Sequence, residues 1–204
     1  MTSAHDRETV GVVLLAAGGS SRLGQPKQLL RHQGQTLVRR AAEVALSVGR
    51  GPVVGVLGAH HEAIALELTG LPLHCVTHED WALGPGGSLK AGLSAVLATE
   101  CSGGPTVDAV LVMLCDQLRV DASHLKTLVT TWRTTGAAMV ASAYDGTHGV
   151  PALFSRSVFA ELDALSPSQG ARGVIARDAS RVEAVALPGG NLDVDTPEDL
   201  VHLK

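Results

Sequence analysis

The stretch "LAAGGSSRLGQPKQLL", residues 15–30, runs from apolar residues into Gly18, Gly19, Ser20 and Ser21 and then presents Arg22 and Lys27. Glycines let backbone N–H groups approach anionic oxygens, and an arginine with a lysine supplies the positive charge that a triphosphate needs. Glycine and charge alone also suit a solvated turn with two exposed cations. Two common glycine motifs are absent. Gly19 and Gly24 have the Walker A separation, but Gln25 stands where the lysine belongs. The dinucleotide fingerprint G-x-G-x-x-G is missing here and in "GPGGSL", where Leu89 takes the last glycine's place.

The elements that must position this loop follow from hydrophobic patterning. Residues 10–17 form a continuous aliphatic run of the kind buried on both faces of a parallel sheet, and residues 108–116 repeat it, ending on Asp116. Further strands are expected at 52–58, 71–77, 137–144, 150–154 and 181–188. Helical spacing of apolar residues predicts helices over 36–48, 61–68, 88–100, 122–135 and 155–165, with a terminal helix from Pro197. Strands alternating with helices give an α/β fold, a parallel or mixed sheet wrapped by helices. In such sheets ligands gather beyond the carboxyl ends of the strands, which is where the loop after residue 17 and Asp116 both fall.

Bulk composition narrows the function classes. The chain has 204 residues, 45% of them hydrophobic, and 23 glycines, which suits one domain with an aliphatic core and many tight loops. Residues 1–9 are expected to form a flexible N-terminal stretch. A net charge of −4 without long like-charged blocks argues against nucleic-acid or anionic-membrane partners. No apolar run reaches the length of a membrane span and the N-terminus lacks the apolar core of a signal peptide, so a cytoplasmic protein is expected. The three cysteines, Cys75, Cys101 and Cys115, are unpatterned and expected to be buried free thiols. His60, His61, His74 and His78 are too sparse for zinc and are expected at the surface, while Trp81 is expected as a partly buried anchor.

The whole loop matches the L-A-A-G-x-S-x-R-x-G-x-P-K signature of nucleotidyltransferases and specifically resembles the molybdenum cofactor cytidylyltransferase family (MobA/MocA-like). "CDQ" at 115–117, "HGVPALF" at 148–154, "GAR" at 170–172 and "DVDTPEDL" at 193–200 resemble its remaining motifs, in the same order along nearly the whole chain. The resemblance implies a Rossmann-like nucleotidyltransferase fold of three layers, with a mostly parallel mixed sheet flanked by helices. The implied activity transfers CMP from CTP to the terminal phosphate of molybdopterin or the molybdenum cofactor, releasing pyrophosphate. Ala17 stands where the guanylyltransferase relatives usually carry a second glycine, which favours CTP over GTP. The other readings are a transferase using GTP or another phosphate acceptor, such as a sugar phosphate or methylerythritol phosphate, and a non-catalytic nucleotide-binding chaperone for molybdoenzymes. A molybdoenzyme or its maturation chaperone is the implied protein partner.

Residue by residue, the resemblance implies that Arg22, Lys27 and Asp116 are catalytic. The nucleotide set is Leu15, Ala16, Ala17, Gly18, Gly19, Ser20, Arg22, Lys27, Ser88 and Asp116. Nucleotidyl transfer is an in-line displacement at the α-phosphorus, helped mainly by positioning and charge neutralisation, so a hard cation is expected, Mg²⁺ or alternatively Mn²⁺. Asp116 is the first choice of ligand; Asp193 or Asp195 supplies the second carboxylate, and alternation along an extended segment leaves both open. For Asp116 the structural alternative is an ordinary turn acid, and Thr196 is also suited to cap the final helix. His148, Gly149, Pro151 and Arg172 are implied on the acceptor side. Ser88 is expected at a helix N-terminus, where phosphates bind. Leu118 in place of the usual proline, and Pro85, Gly86 and Gly87 in place of methionine and serines, depart from the family pattern at the acceptor side.

Overall fold

The apolar run near the N-terminus forms β1 (Val10–Ala16), and its alternation divides the protein into two cores. In the computed structural model, which describes residues 8–203, Val12 and Leu14 face one core and Val13 the other. A two-residue hairpin follows, β2 (Arg31–His32) and β3 (Gln35–Thr36), then α1 (Leu37–Leu46), β4 (Val53–Leu57), α2 (His61–Glu67) and β5 (His74–Thr77). The second half comprises α3 (Pro85–Cys101), β6 (Ala109–Leu114), α4 (Ala122–Thr135), β7 (Met139–Tyr144), β8 (Thr147–Ser155), α5 (Phe159–Asp163), α6 (Ala171–Arg177) and β9 (Val182–Ala186).

Seven strands form one sheet in the order β5-β4-β1-β6-β8-β7-β9, and β8 alone among them runs antiparallel to its neighbours. Helices α1, α2 and α4 cover one face through Val38, Ile64 and Leu128; α3, α5 and α6 cover the other through Leu93, Leu162 and Val174. This is the expected three-layer α/β arrangement. Gly92 lets α3 lie close to the sheet, since a side chain there would strike Val13 and Val56. The chain proceeds outward from β1 to β4 and β5 and then returns to place β6 on the other side of β1. That reversal opens a crevice at the carboxyl ends of β1 and β6.

Several expectations need correction. The hairpin β2–β3 was not anticipated; Gln33 and Gly34 both have positive φ (52° and 86°), as a tight two-residue turn requires. β8 begins at Thr147 rather than 150, because Asp145 and Gly146 (φ 47° and 70°) make the same kind of turn directly from β7. α6, unforeseen, buries Ala171, Val174 and Ile175 at helical spacing. The terminal segment Pro197–Leu203 is a 3-10 helix, and the capping roles are reversed: the Asp199 carboxylate accepts from the backbone of Asp195 and Thr196 and from the Thr196 hydroxyl. Cys75 and Cys101 are exposed and only Cys115 is buried. Of the N-terminal stretch, residues 1–7 lie outside the described residues, while Thr9 is held by the Asp108 carboxylate through its N–H (2.8 Å). No helix among the described residues is long and apolar enough to cross a membrane.

Candidate active site

Where β1 ends, the chain enters the glycine loop, and a cleft of about 310 Å³ opens between this loop, the start of α3 and the end of β6. Leu15, Ala16, Ala17, Gly18, Gly19, Lys27, Ser88 and Asp116 all line it. Arg22 and Ser20 do not. The Ser20 hydroxyl turns back to accept from the Lys27 N–H (3.1 Å), and the Arg22 guanidinium is exposed, 3.1 Å from the Asp195 carboxylate. The N–H groups of Gly18, Gly19, Ser20 and Ser21 have no partner among the described residues, whereas the Ala17 carbonyl accepts from Ala59 N–H at 3.0 Å. The loop therefore offers donors to the cleft, the polarity an anion requires.

Across the cleft stand the acids. Asp116, at the end of β6, is 2% exposed, and Lys27 Nζ donates to its Oδ2 and to Asp195 Oδ1, the latter at 2.7 Å. Burial works to lower the Lys27 pKa, but the charge and hydrogen bond of Asp116, joined by those of Asp195, outweigh it and hold the ammonium above its usual range. Asp193 differs from Asp195. Its Oδ1 is buried with no hydrogen-bond partner, as is Asp116 Oδ1. The Asp193 carboxyl is pushed up to about 7 by burial and then by the negative charge of Asp116, with Lys27 and Arg172 opposing.

Two buried carboxylate oxygens without partners, close enough to repel, fit a divalent cation that takes one or two protein carboxylates and completes its shell with phosphate and water. No group of three or more His, Cys, Asp or Glu among the described residues is arranged to hold a metal, so the protein alone offers no full cage. The four histidines weighed for zinc lie at or near the surface, His78 being half-buried. Cys115 lines the cleft but is a poor nucleophile, its thiol pushed up by burial and by the charge of Asp116.

Ser88 is buried in the first turn of α3, near the helix N-terminus as expected, although α3 starts at Pro85, where proline suits a first helical position, and not at Ser88 itself. His148, Gly149 and Pro151 lie on β8, with Gly149 packed against the Tyr144 hydroxyl and near the exposed Arg172 of α6. None of these four lines the cleft, and Arg172 is near enough to Asp193 for its charge to act on that carboxyl.

Three further residues belong to the site. Trp81 walls the cleft, and its ring leaves no room for a Cβ at Gly19 or Gly58, each of which would come within 2.7 Å. Gln117 is 4% exposed; its Nε2 donates to Val150 O at 2.8 Å and its Oε1 is buried without a partner. Gln28 is wholly buried beneath the loop. A glutamine interrupting the apolar end of "PKQLL" was the available signal for the last.

Comparison with known proteins bears on this geometry. The MobA-like NTP transferase domain description matches residues 12–183. Nicotine blue oxidoreductase of Paenarthrobacter nicotinovorans is 42% identical over 113 residues, 55% of this chain and only 52% of that protein, so the chain spans about half of that relative. Purine catabolism protein PucB of Bacillus subtilis is 30% identical over 199 residues, covering 92% of each. The crystal structure of Rv0371c from Mycobacterium tuberculosis superposes with a TM-score of 0.81 at 30% identity, covering 100% of this chain and 98% of that one. The same protein in complex with manganese gives 0.75 at 28% identity over 96% and 97%. Since the matched residues carry the loop after β1, Lys27 and Asp116 together, the chain belongs to the MobA-like NTP transferase family and is a nucleotidyltransferase.

Proposed function

We propose that this nucleotidyltransferase joins CMP from CTP to the terminal phosphate of molybdopterin or the molybdenum cofactor, with the whole chain acting as one catalytic unit. The observation that carries the reading is the convergence of Lys27, from the glycine loop, on Asp116 at the end of β6, beside a row of unpartnered loop N–H groups. The loop seats the triphosphate. Its N–H groups and the Lys27 and Arg22 cations neutralise the phosphates, exchanging their present carboxylate partners for phosphate oxygens. The acceptor's phosphate oxygen attacks the α-phosphorus, the bond to the bridging oxygen breaks, and pyrophosphate departs with that electron pair.

Asp116 and Asp193 are the residues that would hold Mg²⁺ or Mn²⁺, because each has a buried carboxylate oxygen without a partner, whereas Asp195 becomes available only as Lys27 and Arg22 leave it for the phosphates. The metal supplies neutralisation of triphosphate charge. Arg172, whose charge reaches Asp193, and Gly149 beside it, with His148 and Pro151 on the same strand, are suited to the acceptor because they stand outside the cleft lined by the loop. Alanine at position 17 supports CTP over GTP.

The test is to incubate the purified protein with Mg²⁺, molybdopterin and each of the four triphosphates in turn, and to weigh the product. A CMP adduct formed from CTP alone is the expected result. An adduct from GTP alone would reassign the base. Pyrophosphate release only with a sugar phosphate or methylerythritol phosphate would reassign the acceptor.

A further inference from the structure

A primary amide with no solvent exposure needs partners for each polar atom, and Gln28 has them. Its Nε2 donates to the carbonyls of Ala16 (3.0 Å) and Gly18 (2.7 Å). Both neighbours are acceptors, so only the NH₂ end of the amide fits there. Its Oε1 faces the Ser20 hydroxyl at 3.5 Å, and that hydroxyl accepts from the Lys27 backbone N–H at 3.1 Å. With the Ala17 carbonyl bonded to Ala59, three successive carbonyls from the end of β1 into the loop are engaged inside the protein, while the N–H groups of Gly18 to Ser21 have no partner among the described residues.

We propose that Gln28 is a positioning residue for nucleotidyl transfer. Its amide turns the Ala16 and Gly18 carbonyls inward and, through Ser20, ties the Lys27 backbone to the loop, so that N–H donors and the lysine ammonium meet the triphosphate together. Without the amide, two carbonyl oxygens lose their donor and seek water on the cleft side, where their partial negative charge opposes the phosphates. The inference rests on the reading of this loop as the triphosphate seat, and Lys27→Ala tests that reading separately.

The experiment measures binding of Mg²⁺–CTP and Mg²⁺–GTP by calorimetry to wild type, Lys27→Ala, Gln28→Met and Val96→Ala, with a melting temperature for each. Methionine keeps the length of the side chain but cannot hydrogen-bond to the carbonyls. Val96 lies in the core between α3 and the sheet, so its truncation reports what simple loss of stability does to binding. Gln28→Met is expected to weaken triphosphate binding about tenfold or more, while Val96→Ala, even with an equal loss of melting temperature, leaves it unchanged. Wild-type affinity in Gln28→Met, or an equal weakening in Val96→Ala at matched melting temperature, would overturn the proposal. Should Gln28→Met fail to fold, Ser20→Ala removes the hydroxyl that joins Gln28 Oε1 to the Lys27 N–H while leaving both carbonyl bonds of Gln28 in place, and is expected to weaken binding by a few fold; no change there overturns it as well. If Lys27→Ala binds as tightly as wild type, the loop reading and this inference fall together. If Lys27→Ala loses affinity and Gln28→Met does not, only the role of Gln28 is lost.

Discussion

Lys27 and Asp116 are coupled because so little water reaches them: their side chains are 19% and 3% exposed. Breaking a buried pair from one side strands the other charge, at a cost on the order of 3–5 kcal/mol, whereas removing both charges is much milder. Lys27→Met should therefore lower stability more than the double variant Lys27→Met/Asp116→Asn, as measured by urea unfolding. Single-variant losses that simply add would show that the two do not interact. The same lysine variant should bind triphosphate roughly ten- to a hundredfold more weakly, since charge-assisted hydrogen bonds to phosphate are lost. At this scale Lys27 was legible in the sequence as a cation among glycines and serines, and the structure brings it to the cleft beside Asp116, whereas Arg22 stands out equally in the sequence but is exposed outside the cleft lining. The division of labour between Asp193 and Asp195 was not. Both fall on one side of an extended segment, and only the packing shows Asp195 salt-bridged to Lys27 and Arg22 while an oxygen of Asp193 is left bare.

Elements with long apolar periods, such as β1, β6 and α4, were readable from the chain, because burial on one or both faces dictates their pattern. Short elements were lost for opposite reasons. Asp145-Gly146 is a strong hairpin signal that fixes the start of β8, yet Thr147, His148 and Gly149 before Val150 look like loop residues. α6 contains Gly173, which lowers helix propensity, and is held by three buried side chains instead. One long-range tie also escapes any periodicity: His124 on α4 donates through Nε2 to the Ser142 hydroxyl of β7 (2.7 Å), which donates to the Pro151 carbonyl of β8 (2.6 Å). Burial holds the His124 pKa below its ordinary 6.5, with Asp121 opposing the shift. A histidine depressed in the folded state binds fewer protons than in the unfolded chain. Its contribution is intact above the ordinary value and is lost as pH falls below it, with a slope of at most about 1.4 kcal/mol per pH unit. His124→Gln, which keeps a donor but does not titrate, should show a flatter decline in stability between pH 7 and pH 5 than wild type. Superimposable pH profiles would show that this ring does not govern the acid limb.

Across the whole molecule the candidate site joins two halves of one sheet, the β5-β4-β1 side bearing the glycine loop and the β8-β7-β9 side bearing His148, Gly149 and Pro151, the residues proposed for the acceptor, with β6 and Asp116 between them. A ligand seated at that junction should stabilise the entire fold and not one edge, and the cysteines report on this. Cys75 lies on the edge strand β5 and Cys101 at the end of α3, both exposed; Cys115 is buried beside Asp116 with its thiol pushed up. With a thiol reagent, Cys75 and Cys101 should react in the folded protein, Cys75 with its pKa raised because neighbouring atoms screen part of its thiol from water, and Cys115 only when the molecule opens. Saturation with Mg²⁺–CTP at about a hundred times its Kd adds about 2.7 kcal/mol to the folded state. Labelling of Cys115 should then slow by about a hundredfold where opening precedes reaction, while the other two thiols keep their rates. A Cys115 that reacts as fast as Cys101 would contradict the packing around the end of β6. A Cys115 rate indifferent to the nucleotide would mean that no ligand bridges the two halves there.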